Sequence, residues 1–246
     1  MNKIKQPDPS HFWAVVPAAG IGQRMKGKRP KQYLEIRGKL LIEHTIERLL
    51  AFPLLEKIVV VLGQEDMCGP ELAIMQHEKI VLAPGGRERA YSVLNGLHLL
   101  STDYHVQKQD WVMVHDAARP CIRQCDLYQL TKLLSGHAVG GLLGVPVTDT
   151  IKRTSKQAII TDTLDRSVLW HAQTPQMFRF GLLIGALEKA MDEQVTITDE
   201  ASAVEYAGFR PLMVEGHNDN MKVTQGADLA LASLYIDQQA KQLGER

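Results

Sequence analysis

From Lys57 to Leu62 the chain reads Lys-Ile-Val-Val-Val-Leu, with no polar residue after the lysine. Successive side chains of a strand point to opposite faces, so a continuous β-branched apolar run must be covered on both sides. The same kind of run occurs at Phe12–Val16, Lys79–Ala83, Trp111–Val114, Gly140–Val145 and Pro211–Glu215. Helical periodicity fills the gaps. Leu40–Phe52 places Ile42, Thr45, Ile46, Leu49 and Leu50 on one face, and a later stretch carries Val93, Leu94, Leu97 and Leu100 inward. Further helices are expected around Glu65–Gln76, near Gly181–Met191 and over Gly226–Gln242. Buried strands alternating with helices predict an α/β chain built on a parallel sheet, whose ligands bind at the carboxyl ends of the strands.

The first such end is the richest. Phe12–Val16 empties into Pro17-Ala18-Ala19-Gly20-Ile21-Gly22, where small residues let backbone N–H groups approach a ligand closely. Arg24, Lys26, Lys28, Arg29 and Lys31 follow within eight residues. Exposed donors beside clustered cations suit a polyphosphate; a plain strand-to-helix turn with a solvated basic loop is the alternative. Two familiar phosphate loops do not match. Met25 stands where a dinucleotide fingerprint needs its third glycine, and Gly27-Lys28 is followed by Arg29 instead of the hydroxyl of a Walker loop.

Other strand ends add candidates. Pro84-Gly85-Gly86-Arg87-Glu88-Arg89 precedes a helix, and its glycines can face a nucleobase edge, face a phosphate, or simply turn the chain. His115-Asp116-Ala117-Ala118-Arg119-Pro120 ends a central strand. Asp116 there can hold a hard divalent cation, cap the next helical turn or pair with Arg119. Val147–Arg153 and Ala158–Leu164 flank a polar break and predict a hairpin with no helix between its strands. An isolated hairpin is marginal in water, so it is expected to pack on a second subunit. Trp170–Gln176 reads as a turn, Thr198 as the N-cap of a helix, and Lys222 returns a cation to a strand-end loop.

Composition narrows the function. In a chain of 246 residues, 28 basic and 28 acidic side chains cancel, which argues against a general nucleic-acid or membrane surface and confines any positive site to a patch. Cys68, Cys121 and Cys125 read as reduced thiols of a cytoplasmic protein rather than a zinc or disulfide frame. No run approaches the roughly 18 apolar residues of a membrane span. Residues 1–11 read as a frayed polar tail and residues 12–242 as a single domain, with the hairpin arm at about 147–165.

Arg24, Lys31, Arg166 and Lys222 are cations without a matching base or nucleophile. A substrate phosphate oxygen is already ionised near neutral pH and needs no base. What it needs is relief of repulsion between two polyanions. Unit charges about 4 Å apart interact by roughly 4 kcal/mol at an effective dielectric near 20, so a few cations suffice for several powers of ten in rate.

Five motifs in order, Pro17-Ala-Ala-Gly-x-Gly-x-Arg-Met25, Pro30-Lys-Gln-Tyr-Leu34, His115-Asp-Ala-Ala-Arg-Pro120, Thr198-Asp-Glu-Ala-Ser202 and Asn220-Met-Lys-Val-Thr224, resemble the 2-C-methyl-D-erythritol 4-phosphate cytidylyltransferase family from Trp13 to the last helix. The resemblance implies a Rossmann-like, mostly parallel twisted sheet flanked by helices, with a protruding β-hairpin arm exchanged in a homodimer. It implies transfer of CMP from CTP to methylerythritol phosphate in the non-mevalonate isoprenoid route. Arg24 and Lys31 would then bind the triphosphate, and Pro17, Ala18, Ala19, Gly20, Gly22, Gly85, Gly86, Ser92, Asp116 and Ala117 the nucleotide. Arg119, Arg166, Thr198 and Lys222 would face the acceptor, Arg166 in the partner subunit's site, with Asp116 near Mg²⁺. Gln23 stands where family members often carry arginine, and Arg87 where they often carry an acid. A cytidylyltransferase for another polyol phosphate, such as ribitol 5-phosphate, and a non-catalytic nucleotide-binding regulator are the competing readings.

Overall fold

The computed structural model describes residues 11–20 and 30–244. The first strand, β1 (Phe12–Pro17), leads into a tight ribbon of β2 (Glu35–Ile36) and β3 (Lys39–Leu40), then helix α1 (Leu41–Leu50) and strand β4 (Leu55–Leu62). There follow β5 (Ile80–Pro84), α2 (Arg89–Asp103), β6 (Trp111–Val114), α3 (Gln124–Leu134) and β7 (Gly140–Pro146). Strands β8 (Ile151–Thr154) and β9 (Ile160–Leu164) form a separate antiparallel hairpin. The chain ends with β10 (Trp170–Arg179), α4 (Phe180–Asp192), α5 (Glu200–Tyr206), β11 (Leu212–Glu215) and α6 (Gly226–Gly244).

The main sheet has the order β11-β7-β10-β6-β1-β4-β5, with only β10 antiparallel to its neighbours. Period-two alternation explains its burial on both faces. Ala14, Val16, Ile58, Val60 and Met113 pack toward α1 and α3, while Val15, Val59, Val61, Val112 and Val114 pack toward α2 and α4. The chain runs from β1 outward through β4 to β5, then returns to place β6 on the other side of β1. That reversal opens a crevice at the carboxyl ends of β1 and β6.

Four expectations are corrected. Residues 65–76 form two short 3-10 turns, Gly69–Glu71 and Ala73–Gln76, instead of an α-helix, because Gly69-Pro70 interrupts the run. Trp170–Gln176 is the first part of an inserted sheet strand, not a turn. Its polar residues misled, yet Gln173, Thr174 and Gln176 are buried and hydrogen-bonded. Pro175 is tolerated there because the pairing with β7 breaks between Ala172 and Gln176, where no ladder N–H is needed. Finally, the N-cap of α5 is Asp199, whose carboxylate accepts from the Ser202 N–H at 3.0 Å, rather than Thr198. His11, assigned to the tail, is held to the body by its N–H to Asp110 and its ring to Glu56.

Among the described residues no helix is long and apolar enough to cross a membrane.

Candidate active site

Where β1 ends, the Ala18 N–H still bonds to the Val61 carbonyl at 2.8 Å, extending the ladder by one residue. The Ala18 carbonyl accepts from the Gln32 side chain at 2.7 Å, so the segment Lys31–Tyr33 is tied across the strand end. Gly85 bonds back to Leu62, and a Cβ there would meet the Ala19 Cβ at 2.3 Å. A Cβ on Gly86 would meet that of Tyr91 at 2.4 Å. Gly85 is therefore what lets the turn after β5 close on the turn after β1, and Gly86 what lets it close on the start of α2. The Gly86 N–H donates to the Ser92 hydroxyl at 3.1 Å, which fixes this turn to the first turns of α2.

These turns enclose a cavity of about 410 Å³. Pro17, Ala18, Ala19, Gly20, Lys31, Gly86, Ser92, Asp116, Ala117 and Lys222, all singled out from the sequence, line it. Gly85 lines an adjoining cavity of about 1000 Å³ instead, together with Ala19, Gln32, Tyr33 and Asp66. Arg87 lies at the edge of both, its guanidinium stacked 4.2 Å from the Tyr91 ring centroid and donating to the Tyr91 hydroxyl. Gly22, Gln23 and Arg24 fall outside the described residues.

Asp116 is the hub. It is 6% exposed, and its carboxylate meets Arg89 at 3.0 Å, Lys222 at 2.8 Å and Arg119 at 3.7 Å. Arg89 forks onward to Glu200 at 2.6 and 3.1 Å. Each partner comes from a different element: Arg89 opens α2, Glu200 opens α5, and Lys222 sits in the loop between β11 and α6. Burial by itself would raise the Asp116 carboxyl, but Arg89, then Lys222 and Arg119, hold it well below the usual carboxylate range. Behind it, His115 is fully buried between the Arg119 carbonyl and the Thr174 hydroxyl, and burial lowers its pKa to about 4. Three cations share two carboxylates in this cluster, and at the cavity Lys31 and Arg87 add two more cations against Glu88. The surplus is positive, as a polyanion site requires.

Arg119 does not line the cavity; it braces the wall by donating to the Asn220 carbonyl at 2.6 Å, which positions the loop that carries Lys222. Arg166 and Thr198 are not brought to the cavity within this chain. Arg166 is exposed beside the hairpin and donates to the Thr148 carbonyl. Thr198 is exposed just ahead of α5. Sequence reasoning missed Arg89, Glu200 and Gln32. Glu200 stands inside a motif that reads as a helix cap, and Arg89 stands in a turn whose glycines alone carried the argument.

The sequence that builds this site matches a family model, that of 2-C-methyl-D-erythritol 4-phosphate cytidylyltransferase, over residues 12–238. The chain belongs to that family. The enzyme of this name from Vibrio vulnificus (strain CMCP6) is 53% identical over 226 residues, covering 92% of this chain and 94% of the relative. That of Hahella chejuensis is 48% identical, covering 92% of each. A crystal structure of the Francisella tularensis enzyme superposes with a TM-score of 0.80 at 35% identity, covering 92% of this chain and all of that one. The resemblance and the Rossmann-like α/β fold expected from the motifs are both borne out, and family membership makes the chain a nucleotidyltransferase.

Proposed function

We propose that this cytidylyltransferase-family chain transfers CMP from CTP to 2-C-methyl-D-erythritol 4-phosphate, releasing pyrophosphate and forming 4-diphosphocytidyl-2-C-methyl-D-erythritol in the non-mevalonate route to isoprenoids. The observation that carries this reading is the cation surplus around Asp116, in a cavity whose buried acid cannot serve as a base. Asp116 is held ionised by Arg89, Lys222 and Arg119, and His115 is sealed behind it. A reaction with an ionised phosphate nucleophile asks for this environment.

An oxygen of the acceptor phosphate attacks the α-phosphorus of CTP and forms a new O–P bond. The bond from that phosphorus to the β-bridging oxygen breaks, and its electron pair leaves with pyrophosphate. Lys31 and Arg24 neutralise the triphosphate and the charge that develops on it. The cytosine lies against the backbone at Ala18, Ala19 and Gly86 and the Ser92 hydroxyl, while Asp116 and Ala117 face the rest of the nucleotide. Lys222 stands between the two substrates, Arg119 holds the loop that presents it, and Arg166 and Thr198 read the acceptor.

Mg²⁺ uses one or two carboxylates and takes its remaining oxygens from water and phosphate, and among the described cavity residues Asp116 supplies such a carboxylate, shared with Arg89 and Lys222. Asp116 would hold it. When bound, the ion supplies positive charge to the triphosphate.

The hairpin, together with Arg166, supports a homodimer formed by arm exchange over about residues 147–165. Ile159 and Ile160 are 66 and 61% exposed on an element that shares no sheet with the body, and Val168, in the turn just after it, is 73% exposed. We place the enzyme in the cytoplasm.

Pyrophosphate release from CTP, Mg²⁺ and methylerythritol phosphate tests the reading directly. Absence of release would overturn it. Preference for ribitol 5-phosphate in a competition would reassign the acceptor, and tight CTP binding without turnover would mark a regulator.

A further inference from the structure

Away from the cavity, α3 and the loop after β11 bring three metal-ligating side chains together. Donor atoms of Cys125, Asp126 and His217 all lie within 4.8 Å of one another. The geometry points to a binding site for a borderline-soft divalent ion of the Zn²⁺ class, held by the Cys125 thiolate, the Asp126 carboxylate and the His217 imidazole.

The observation that singles out this trio is the state of Asp126. Its side chain is fully buried; Oδ1 takes the His217 Nδ1 at 2.6 Å, yet Oδ2 has no hydrogen-bond partner. A buried carboxylate oxygen with nothing to accept from asks for a partner; Asp219 Oδ1 is another, but among the described residues only Asp126 belongs to a group of three ligating side chains. Beside it, Cys125 is a free and exposed thiol, and His217 is 45% exposed, so an ion can reach the site from solvent. Two ligands of one tetrahedral ion at about 2.0–2.3 Å stand roughly 3.3–3.7 Å apart, so small side-chain movements close the shell and leave a position for water.

Charge and chemistry agree. A thiolate and a carboxylate in the first turn of α3 balance a dication, whose charge offsets the burial that raises both groups above their usual ranges. Thiolate and imidazole select Zn²⁺-like ions over Mg²⁺, which demands oxygen ligands, so the site is chemically distinct from the one at Asp116. Its place in the fold gives it a consequence. The loop that carries His217 also carries Asp219, paired with Arg123 at 2.6 Å, and then Asn220 and Lys222. A bound ion fastens that loop to α3 and so stiffens the segment that presents Lys222 to Asp116.

The purified full chain, kept reduced and in excess Mg²⁺, is titrated with Co²⁺ and then with Zn²⁺. One equivalent of Co²⁺ is expected, with visible bands of tetrahedral Co²⁺ and a thiolate-to-cobalt charge-transfer band. Zn²⁺ displaces it and Mg²⁺ does not. Cys125→Ser abolishes the charge-transfer band, His217→Gln weakens binding more than about tenfold, and Cys68→Ser changes neither. Cys125 is exposed and serine nearly isosteric, so circular dichroism unchanged from wild type separates lost binding from lost fold. A wild-type chain that takes up no saturating equivalent of Co²⁺, or a titration that Cys125→Ser leaves untouched, overturns the assignment. The readout is occupancy rather than turnover, so it stands or falls apart from the proposed reaction.

Discussion

The Asp116 cluster and the β8–β9 hairpin are opposite kinds of structure within one chain. Around Asp116 the two acids and Arg119 are buried and Arg89 and Lys222 half-buried, and the groups are pinned across elements: Arg89 by Glu200, Arg119 by Asn220, Glu200 by its place at the start of α5. Nothing there can move alone, so its charges are set before a substrate arrives. The hairpin is exposed along nearly its whole length, and its ladder joins only its own two strands. A two-stranded ribbon has little stability of its own. The described residues assigned to the triphosphate thus come from one chain's tightly paired cluster and its cavity, whereas Arg166, assigned to the acceptor, follows an element that shares no sheet with the body.

The most severe way to break the cluster is Asp116→Asn. It would leave Arg89, Arg119 and Lys222 packed together with Glu200 as the remaining acid. Breaking a buried ion pair by removing one partner costs about 3–5 kcal/mol, so the denaturant midpoint should fall sharply along with pyrophosphate release. Wild-type stability in this variant would show that the cluster is looser than its distances imply. Next come the triphosphate cations. Lys31→Ala, and likewise Arg24→Ala, should cut turnover by about 10²–10³-fold with little change in melting temperature, because these residues serve charge that develops in the reaction. Equal rates in wild type and both variants would remove them from the mechanism.

The polar centre of the sheet explains what was and was not legible in the sequence. Strands such as Ile58–Leu62 announce themselves, because burial on both faces forces a continuous apolar run. β10 carries Gln173, Thr174 and Gln176 into the interior, where each is satisfied by a partner distant in sequence, so periodicity alone hides it. The site divides the same way. Small residues and cations crowded into one turn mark Ala18, Gly20 and Lys31. Arg89 and Glu200, 111 residues apart in the chain, acquire meaning only once α2 and α5 bring them to Asp116.

Acid should weaken the cluster in two separable stages. His115 keeps its neutral form in the fold down to about pH 4, whereas in the unfolded chain it takes up a proton near its ordinary 6.5. Between those values the unfolded state binds more protons, so stability is fully present above pH 6.5 and is lost as pH falls toward 4. The shift corresponds to roughly 3 kcal/mol. Asp116, with its folded pKa depressed, adds its own loss only below the ordinary carboxylate range near 4, as protonation begins to favour the unfolded chain. Denaturation series at pH 7 and 4.5 for wild type and His115→Gln would check the first stage. An equal decline in both would assign it to other groups.

The gentlest perturbation sharpens the contrast from the other side. Ile160→Asp places a charge on a hairpin side chain that is 61% exposed and touches little of its own subunit. If the chain were a monomer the substitution would shift unfolding by no more than about 0.5 kcal/mol, as exposed positions do. In a dimer built through the hairpin, the same charge is buried against a second chain, so sedimentation should show dissociation while each subunit keeps its fold. The acceptor KM should then rise with Arg166 displaced, and the affinity for CTP should hold because the Asp116 cluster is untouched. A dimer that survives Ile160→Asp, or a loss of CTP binding on dissociation, would mean that the two regions are not divided as their burial suggests.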